Sequence, residues 1–292
     1  MNKQEMLTII MPAYNEEQSV GQVIKSILEK KYPFVYEIIL VDDGSPDHTA
    51  AIASQSGARV IRHRHNHGNA NAIKTGIEAS QTEFIMVFDA DGQHKAEDIP
   101  RLWVKSAEND MVVGKRMGLI HSNLWRMPGK WMLWAMANLL VGRRIPDLNS
   151  GLRLMRKSVV IKYLHLCPSG FSFHITITMV MLCRDYEVEY VPITVEKRIG
   201  KSMVSVKTGL DTIVLIVRVA TLFNPLRIFL PISGFLFILT LMRFLFDVRY
   251  LKYHPGQGLG GITVSLFIAT LLVFLFGLLC DNISSLRKEI HE

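Results

Sequence analysis

Asp89 and Asp91 stand two residues apart in FIMVFDADGQH, directly after a run of apolar, strand-forming residues. Two carboxylates at the exposed end of a buried strand can share a divalent cation. Mg²⁺ and Mn²⁺ prefer such oxygen ligands and bridge from them to substrate phosphates. Ala90 lies between the pair, and Gln93 and His94 extend the polar cluster. A solvated turn would carry the same residues, but the place after a strand and ahead of Gly92 favours a site. Asp42-Asp43-Gly44-Ser45 ends an earlier strand, where carboxylates can accept hydrogen bonds from a ribose or base. Ser45 or Asp47 can equally open the next helix. Pro12-Ala13-Tyr14-Asn15-Glu16 ends the first strand, where Tyr14 could stack on a base and Glu16 bond to it. His63, His65 and His67 have period two, which on a strand puts all three on one face. Arg62 and Arg64 interleave and no carboxylate or cysteine is near in sequence, which argues against a zinc site.

The elements that must position these residues follow from periodicity. Leu7–Met11, Glu37–Val41, Arg59–Ile61, Phe84–Phe88 and Met111–Val113 are short and rich in Val, Ile and Phe, as strands are. Glu17–Glu29, Asp47–Ser54, Ala70–Ala79 and Glu97–Ser106 carry helical spacing and polar starts. This order predicts an α/β fold, a mostly parallel sheet with helices on both faces. Ligands of such sheets bind beyond the carboxyl ends of the strands, where the acidic segments fall.

Hydropathy divides the chain. Residues 1–202 mix charge and apolar runs, while the chain beyond Leu226 is strongly apolar. Trp131–Val141 is apolar nearly all round and too short to span, so it is either an interfacial or a core helix. Residues 203–225 form an amphipathic juxtamembrane helix, with Val206, Leu210, Val214, Val217 and Phe223 on one face and Lys207, Asp211 and Arg218 on another. A two-span hairpin over 226–282 follows: Ile228–Phe246, interrupted late by Arg243, then Gly258–Cys280, which is free of charge. Residues 283–292 form a tail. The N-terminal apolar run is too short for a signal peptide, so the large domain and both termini are expected in the cytoplasm, at the inner membrane. Arg227, Arg287 and Lys288 agree with that orientation, against Arg249 and Lys252 in the connecting loop.

The net charge of +7 comes without a basic arm or zinc-finger spacing, which disfavours nucleic acid and leaves anionic lipid or phosphorylated ligands. Three cysteines, widely separated and odd in number, fit a reducing compartment rather than a disulfide framework.

MPAYNEE, VDDGSPDHT and FDADGQH occur in one order, joined by HNHGNANAIKTGIEAS, DLNSGLRLMRK, FSFHITITMV and KRIGKSM. This combination resembles the family 2 glycosyltransferases, in particular the polyprenyl-phosphate glycosyltransferases that include dolichyl-phosphate mannose synthase and the bacterial two-span type. The resemblance covers essentially the whole chain. It implies a GT-A-like domain over 1–202 and transfer of one sugar, with inversion, from a UDP- or GDP-linked donor to a polyprenyl phosphate, with undecaprenyl phosphate favoured. It also implies Mg²⁺ or Mn²⁺ as cofactor and a homo-oligomer, plausibly a tetramer. Pro12, Tyr14, Glu16, Val41, Asp42 and Asp43 match donor positions, and Asp89, Ala90, Asp91 and Gln93 match the metal and diphosphate site. Arg116 and Arg126 look like the arginines that hold the acceptor phosphate. Arg198, Lys201 and Ser202 match the basic loop over the donor diphosphate. Met203 departs from the Lys of many relatives, as do Asn69, Asn71 and Lys115 from their usual residues, which leaves donor preference and acceptor-loop detail open.

Chemistry supports the basic set, because two phosphorylated substrates need cations beyond one metal and arginine grips phosphate oxygens bidentately. Gly200 lets the backbone beside Arg198 approach a ligand closely. Arg198 and Asp91 are therefore expected at the leaving group. Asp147, in DLNSG, is expected either to face the reaction centre as a base or orienting group or to hold its loop. Two rivals stand beside this reading: a transferase of the same fold acting on a glycan or lipid hydroxyl, and a non-catalytic membrane protein that binds nucleotide-sugar or lipid-linked sugar.

Overall fold

The structure, a computed structural model, describes residues 2–117, 127–168, 173–196, 206–252 and 259–291. It divides into two units, Met1–Ala135 with Arg143–Leu215, and Met136–Gly142 with Ile216–Glu292.

The first unit is built on seven strands: β1 (Leu7–Ala13), β2 (Val35–Asp42), β3 (Arg59–Arg62), β4 (Phe84–Val87), β5 (Met111–Arg116), β6 (Arg153–Arg156) and β7 (Val188–Ile193). They lie in the order β3-β2-β1-β4-β6-β5-β7. β1 to β4 are mutually parallel where they pair, β5 pairs β7 in parallel, and β6 runs antiparallel between β4 and β5. Alternation sorts the side chains into two layers. Leu7, Ile9, Met11, Leu40, Met86 and Val112 face α1 (Val20–Glu29) and α4 (Ile99–Lys105), while α2 (Thr49–Gln55) follows β2. Ile10, Ile85, Val87, Met111, Val113 and Met155 face α3 (Asn69–Ala79) and α7 (Phe173–Cys183). α5 (Met127–Val141) and the short α6 (Lys157–Val160) complete the connections.

The mostly parallel sheet matches the sequence expectation, with one strand reversed. β6 and β7 were not expected from sequence. β6 reads RLMR, too short and too charged at its ends to announce a strand, and it exists because β4 and β5 flank it.

Towards the C-terminus α8 (Val206–Phe223) leads to α9 (Leu226–Leu251) and α10 (Gly261–His291). Ile216, Val219, Ala220 and Phe223 of α8 are buried at helical spacing, whereas Val214 and Val217, expected on the apolar face with Phe223, are exposed. The buried stripe obeys i, i+3, i+4, i+7 from Ile216, and Val214 and Val217 fall outside that phase.

Leu226–Leu251 and Gly261–Leu286 are each 26 residues long and apolar enough to cross a membrane. At about 1.5 Å per residue this exceeds the ~30 Å hydrocarbon core. Their outward faces carry Phe235, Phe237, Leu241, Phe267 and Leu272, all exposed. The buried positions between them are polar or small and recur every seven residues: Ser233, Thr240 and Asp247 on α9, and Thr263, Thr270 and Gly277 on α10, with Phe229 and Phe276 in ring contact beside them. A heptad repeat keeps one face of each helix toward the other. Thr240 Oγ1 and Thr270 Oγ1 are 3.2 Å apart. Arg243 does not interrupt the span as an isolated charge, because its Nη2 lies 3.1 Å from Asp247 Oδ1 one turn on. Asp247 Oδ2 in turn accepts from Gly260 N at 2.9 Å and Thr263 Oγ1 at 2.5 Å, which caps the start of α10.

Candidate active site

The strand order reverses between β1 and β4, the place at which doubly wound sheets take their ligands. Side chains lace the loops after these two strands together. Asn15, with φ 58°, donates its N–H to Ser45 Oγ at 3.0 Å, and Glu16 N donates to Thr49 Oγ1 at 2.9 Å. Ser19, buried at the start of α1, donates to the Ala90 carbonyl at 2.8 Å and approaches Glu16 Oε2 at 3.2 Å. Three segments far apart in sequence thus form one rim, and Ser19, which no sequence motif singles out, joins two of them. Tyr14 and Glu16 are half-buried on that rim, while Pro12 lies buried opposite Val41 in the β1–β2 register. Val41 is fully buried and packs with Ile39 and Ala72, so only its backbone is at the strand end.

Asp42 and Asp43 build the loop at the β2 end. Asp42 Oδ1 accepts from Ser45 N at 3.0 Å and Oδ2 lies 3.0 Å from Arg62 Nε. Asp43 Oδ1 meets His63 Nδ1 at 2.8 Å and His67 N at 2.9 Å, and Oδ2 accepts from Gly68 N at 2.7 Å. Gly44 makes this possible, since its φ is 76° and a Cβ there would come within 2.7 Å of the His65 carbonyl carbon. The partner that sequence could not supply for the histidines is therefore Asp43. They follow β3 instead of lying on it, and His63 is engaged by Asp43 and by Thr75 Oγ1 at 3.0 Å. Any donor contact by Asp43 is made in addition to these bonds.

Asp89 is partly exposed, with 29% of its side chain accessible, and lies 3.5 Å from His94 Nε2 through Oδ2. Asp91 is buried and its Oδ1 accepts from Gln93 N at 3.1 Å. Among the described residues no group of three or more His, Cys, Asp or Glu converges on a metal position. Two hard oxygen donors on one turn nevertheless fit Mg²⁺ or Mn²⁺, which fill their remaining positions with water and substrate phosphate. Gln93 Nε2 donates to the Glu196 carbonyl at 3.3 Å, and Glu196 N donates to the Gln93 carbonyl at 3.0 Å. The backbone of Glu196 thus lies beside the turn that carries Asp91 and Gln93. Arg126, Arg198, Lys201 and Ser202 lie outside the described residues.

Arg116, the last residue of β5, and Asp147 form a bidentate pair: Nε to Oδ2 and Nη2 to Oδ1, both 2.8 Å. Asp147 also accepts from Arg116 N at 3.2 Å and Asn149 N at 3.1 Å. Burial opposes the charge of Asp147, but the Arg116 guanidinium and these N–H groups hold its carboxyl below the usual range. Arg116 is likewise disfavoured by burial and raised by Asp147, with Asp89 adding to the field. The charge of Asp89 reaches the pair, so the β4 and β5 ends share one electrostatic neighbourhood.

The Asp89–Asp91 turn, the strand reversal and the paired Arg116 lie at the carboxyl ends of β1, β4 and β5. The model for glycosyl transferase family 2 matches residues 8–164, and that for the GtrB C-terminal hairpin matches residues 224–286. The chain belongs to glycosyl transferase family 2, and it is a glycosyltransferase carrying a C-terminal hairpin. It is 28% identical over 303 residues to the undecaprenyl-phosphate 4-deoxy-4-formamido-L-arabinose transferase of Photorhabdus laumondii, covering 98% of this chain and 90% of that one. It is 36% identical over 163 residues to an uncharacterized protein of Methanocaldococcus jannaschii, where the match spans 52% of this chain and 65% of that protein's length. Among solved structures, glucosyl-3-phosphoglycerate synthase from Mycobacterium tuberculosis, in complex with Mn²⁺, UDP-glucose and phosphoglyceric acid, has a TM-score of 0.61 at 19% identity. That match covers 74% of this chain and 80% of that chain, and it is a likeness of fold.

Proposed function

We propose that this protein transfers one sugar from a nucleotide-diphosphate sugar to a polyprenyl phosphate, with inversion, at the cytoplasmic face of the membrane. The observation that carries the reading is the Arg116–Asp147 pair beside the Asp89–Asp91 turn, in a chain that also holds two apolar helices of spanning length. Full-length similarity to an undecaprenyl-phosphate sugar transferase supports the choice of lipid.

Tyr14, Glu16 and the Asp43-braced loop receive the nucleoside. Asp89 and Asp91, with Gln93 beside them, would hold Mg²⁺ or Mn²⁺, which would neutralise the departing nucleoside diphosphate. Arg198, Lys201 and Ser202 close over the same diphosphate. A phosphate oxygen of the acceptor attacks the anomeric carbon as the bond to the nucleoside diphosphate breaks, and the leaving oxygen keeps the electron pair. A phosphate monoester with its second pKa about 6 is largely ionised at neutral pH, so no base has to remove a proton. Asp147 is accordingly an orienting group: it occupies Nε and one Nη2 hydrogen of Arg116 and leaves the Nη1 edge for the acceptor phosphate, with Arg126 as its partner. A transferase acting on a hydroxyl would need a carboxylate poised to accept a proton, and the pairing of Asp147 opposes that role.

The test is transfer from a panel of radiolabelled UDP- and GDP-sugars to undecaprenyl phosphate, with Mg²⁺, Mn²⁺ or EDTA. Labelled lipid from one donor, abolished by EDTA, is the expected result. Donor binding without any lipid product would overturn the acceptor assignment.

A further inference from the structure

Arg153 opens β6 with its side chain fully buried. Its Nε and Nη2 both donate to the Ser150 carbonyl, at 3.2 and 2.6 Å. Its Nη1 donates to the His174 carbonyl at 2.9 Å and to Thr178 Oγ1 at 2.7 Å. Among the described residues these hydrogen bonds all end on neutral oxygens. Burial draws its pKa down to about 10, so the group is still a cation at neutral pH, within the field of Asp147 and Asp89. Keeping an ionised guanidinium in such a place costs free energy that a lysine on the surface would not, so the fork has to do something else.

What it holds is the backbone against which Asp89 rests. At Gly151 a Cβ would stand 1.9 Å from Asp89 Oδ2 and 2.8 Å from its Cγ. Only a glycine leaves room for the carboxylate in its observed position. Among the described residues the buried Ser150 Oγ has no hydrogen-bond partner, so the Ser150 side chain does not tie this turn to them. Its carbonyl does, through two bonds from Arg153.

We propose that Gly151 and Arg153 are positioning residues for Asp89: Arg153 clamps the Ser150 carbonyl, and the turn so fixed presents Gly151 as the seat that sets the carboxylate's rotamer. The inference rests on the reading of Asp89 as a metal ligand and extends it to a supporting segment from a different strand. Groups that orient a ligand carboxylate commonly govern affinity by roughly 10–100-fold.

The experiment uses the full chain in detergent, with Mn²⁺ affinity measured in the presence of UDP or GDP by electron paramagnetic resonance and Tm by thermal unfolding. Gly151→Ala is expected to weaken Mn²⁺ binding roughly tenfold or more in the Asp89 background and to change nothing further in the Asp89→Ala background. Arg153→Lys, which keeps the charge and loses the fork, is expected to follow the same pattern. Gly151→Ala with wild-type Mn²⁺ affinity, or a loss of equal size in both backgrounds, would overturn the proposal. Wild-type Mn²⁺ affinity in Asp89→Ala would instead remove the metal reading, and the same cycle in Tm then decides the seat. A Tm penalty of Gly151→Ala relieved by Asp89→Ala upholds it, and an equal penalty in both backgrounds overturns it.

Discussion

Arg116 and Asp147 face each other fork to fork, with both hydrogen bonds at 2.8 Å and the carboxylate 11% exposed. The pairing turns two residues expected to act separately into one unit. It keeps the arginine's planar group in a single orientation and holds the carboxylate ionised in the pair.

For this pair the expected outcome is asymmetric. Asp147→Asn keeps one acceptor and loses the charge, so turnover falls while a measurable rate remains, and KM for the lipid phosphate rises. Arg116→Lys loses the planar fork and is expected to do more harm, on the order of 10²-fold in kcat/KM. Because the Asp147 carboxyl is held below its ordinary range, its contribution to stability is complete above the unfolded value near 4 and is lost only as pH falls through the lower folded value. The rate profile between about pH 5 and 8 should therefore show no limb that Asp147→Asn removes.

His174 titrates in the same sense, over a higher pH window. Burial, reinforced by the Arg153 charge, pushes its pKa down to about 3, from 6.5 in the unfolded chain. The folded state excludes a proton that the unfolded state takes up, so stability falls as pH drops below 6.5 and goes on falling toward 3. The slope approaches about 1.4 kcal/mol per pH unit for this one group. Thermal unfolding across about pH 4–7 should be flatter in His174→Gln than in the wild type. Parallel curves would show that the His174 pKa is the same in the folded and unfolded chain.

Asp43 carries three hydrogen bonds into the loop from His63 to Gly68. Asp43→Ala leaves the His67 N–H without its acceptor and the Gly68 N–H with Asn66 Oδ1 alone at 3.1 Å, at a cost on the order of 1–3 kcal/mol. Donor affinity, read by calorimetry with UDP and GDP, is expected to fall with stability. Asp43→Asn restores one acceptor and should recover part of both.

Within the hairpin, Asp247→Ala removes the cap on Gly260 and Thr263 and leaves Arg243 without its carboxylate. Thermal unfolding in detergent should report a lower Tm than in the wild type. Soluble-donor binding to the first unit should be unchanged.

Much of this was legible from the chain alone. The strands β1, β2, β4 and β5 announced themselves because their apolar runs are dictated by burial on both faces, and the acidic residues after them follow from where such sheets bind ligands. The hairpin was legible because an uncharged apolar run as long as a bilayer is thick buries stably in lipid and seldom in a small soluble core. β6 was not, since RLMR has no periodicity of its own and its pairing is imposed by neighbours.

Residue types and order therefore determined the α/β class, the acidic strand ends, the family and the two spans, because each rests on local pattern along the chain. Only the tertiary structure decided how those residues are used. It gave Asp147 to Arg116 and Asp43 to its own loop, placed Val41 in the core, and set Gly151 under Asp89. Each of these joins positions remote in sequence, where hydrogen-bond geometry and excluded volume choose a partner that composition and spacing leave open.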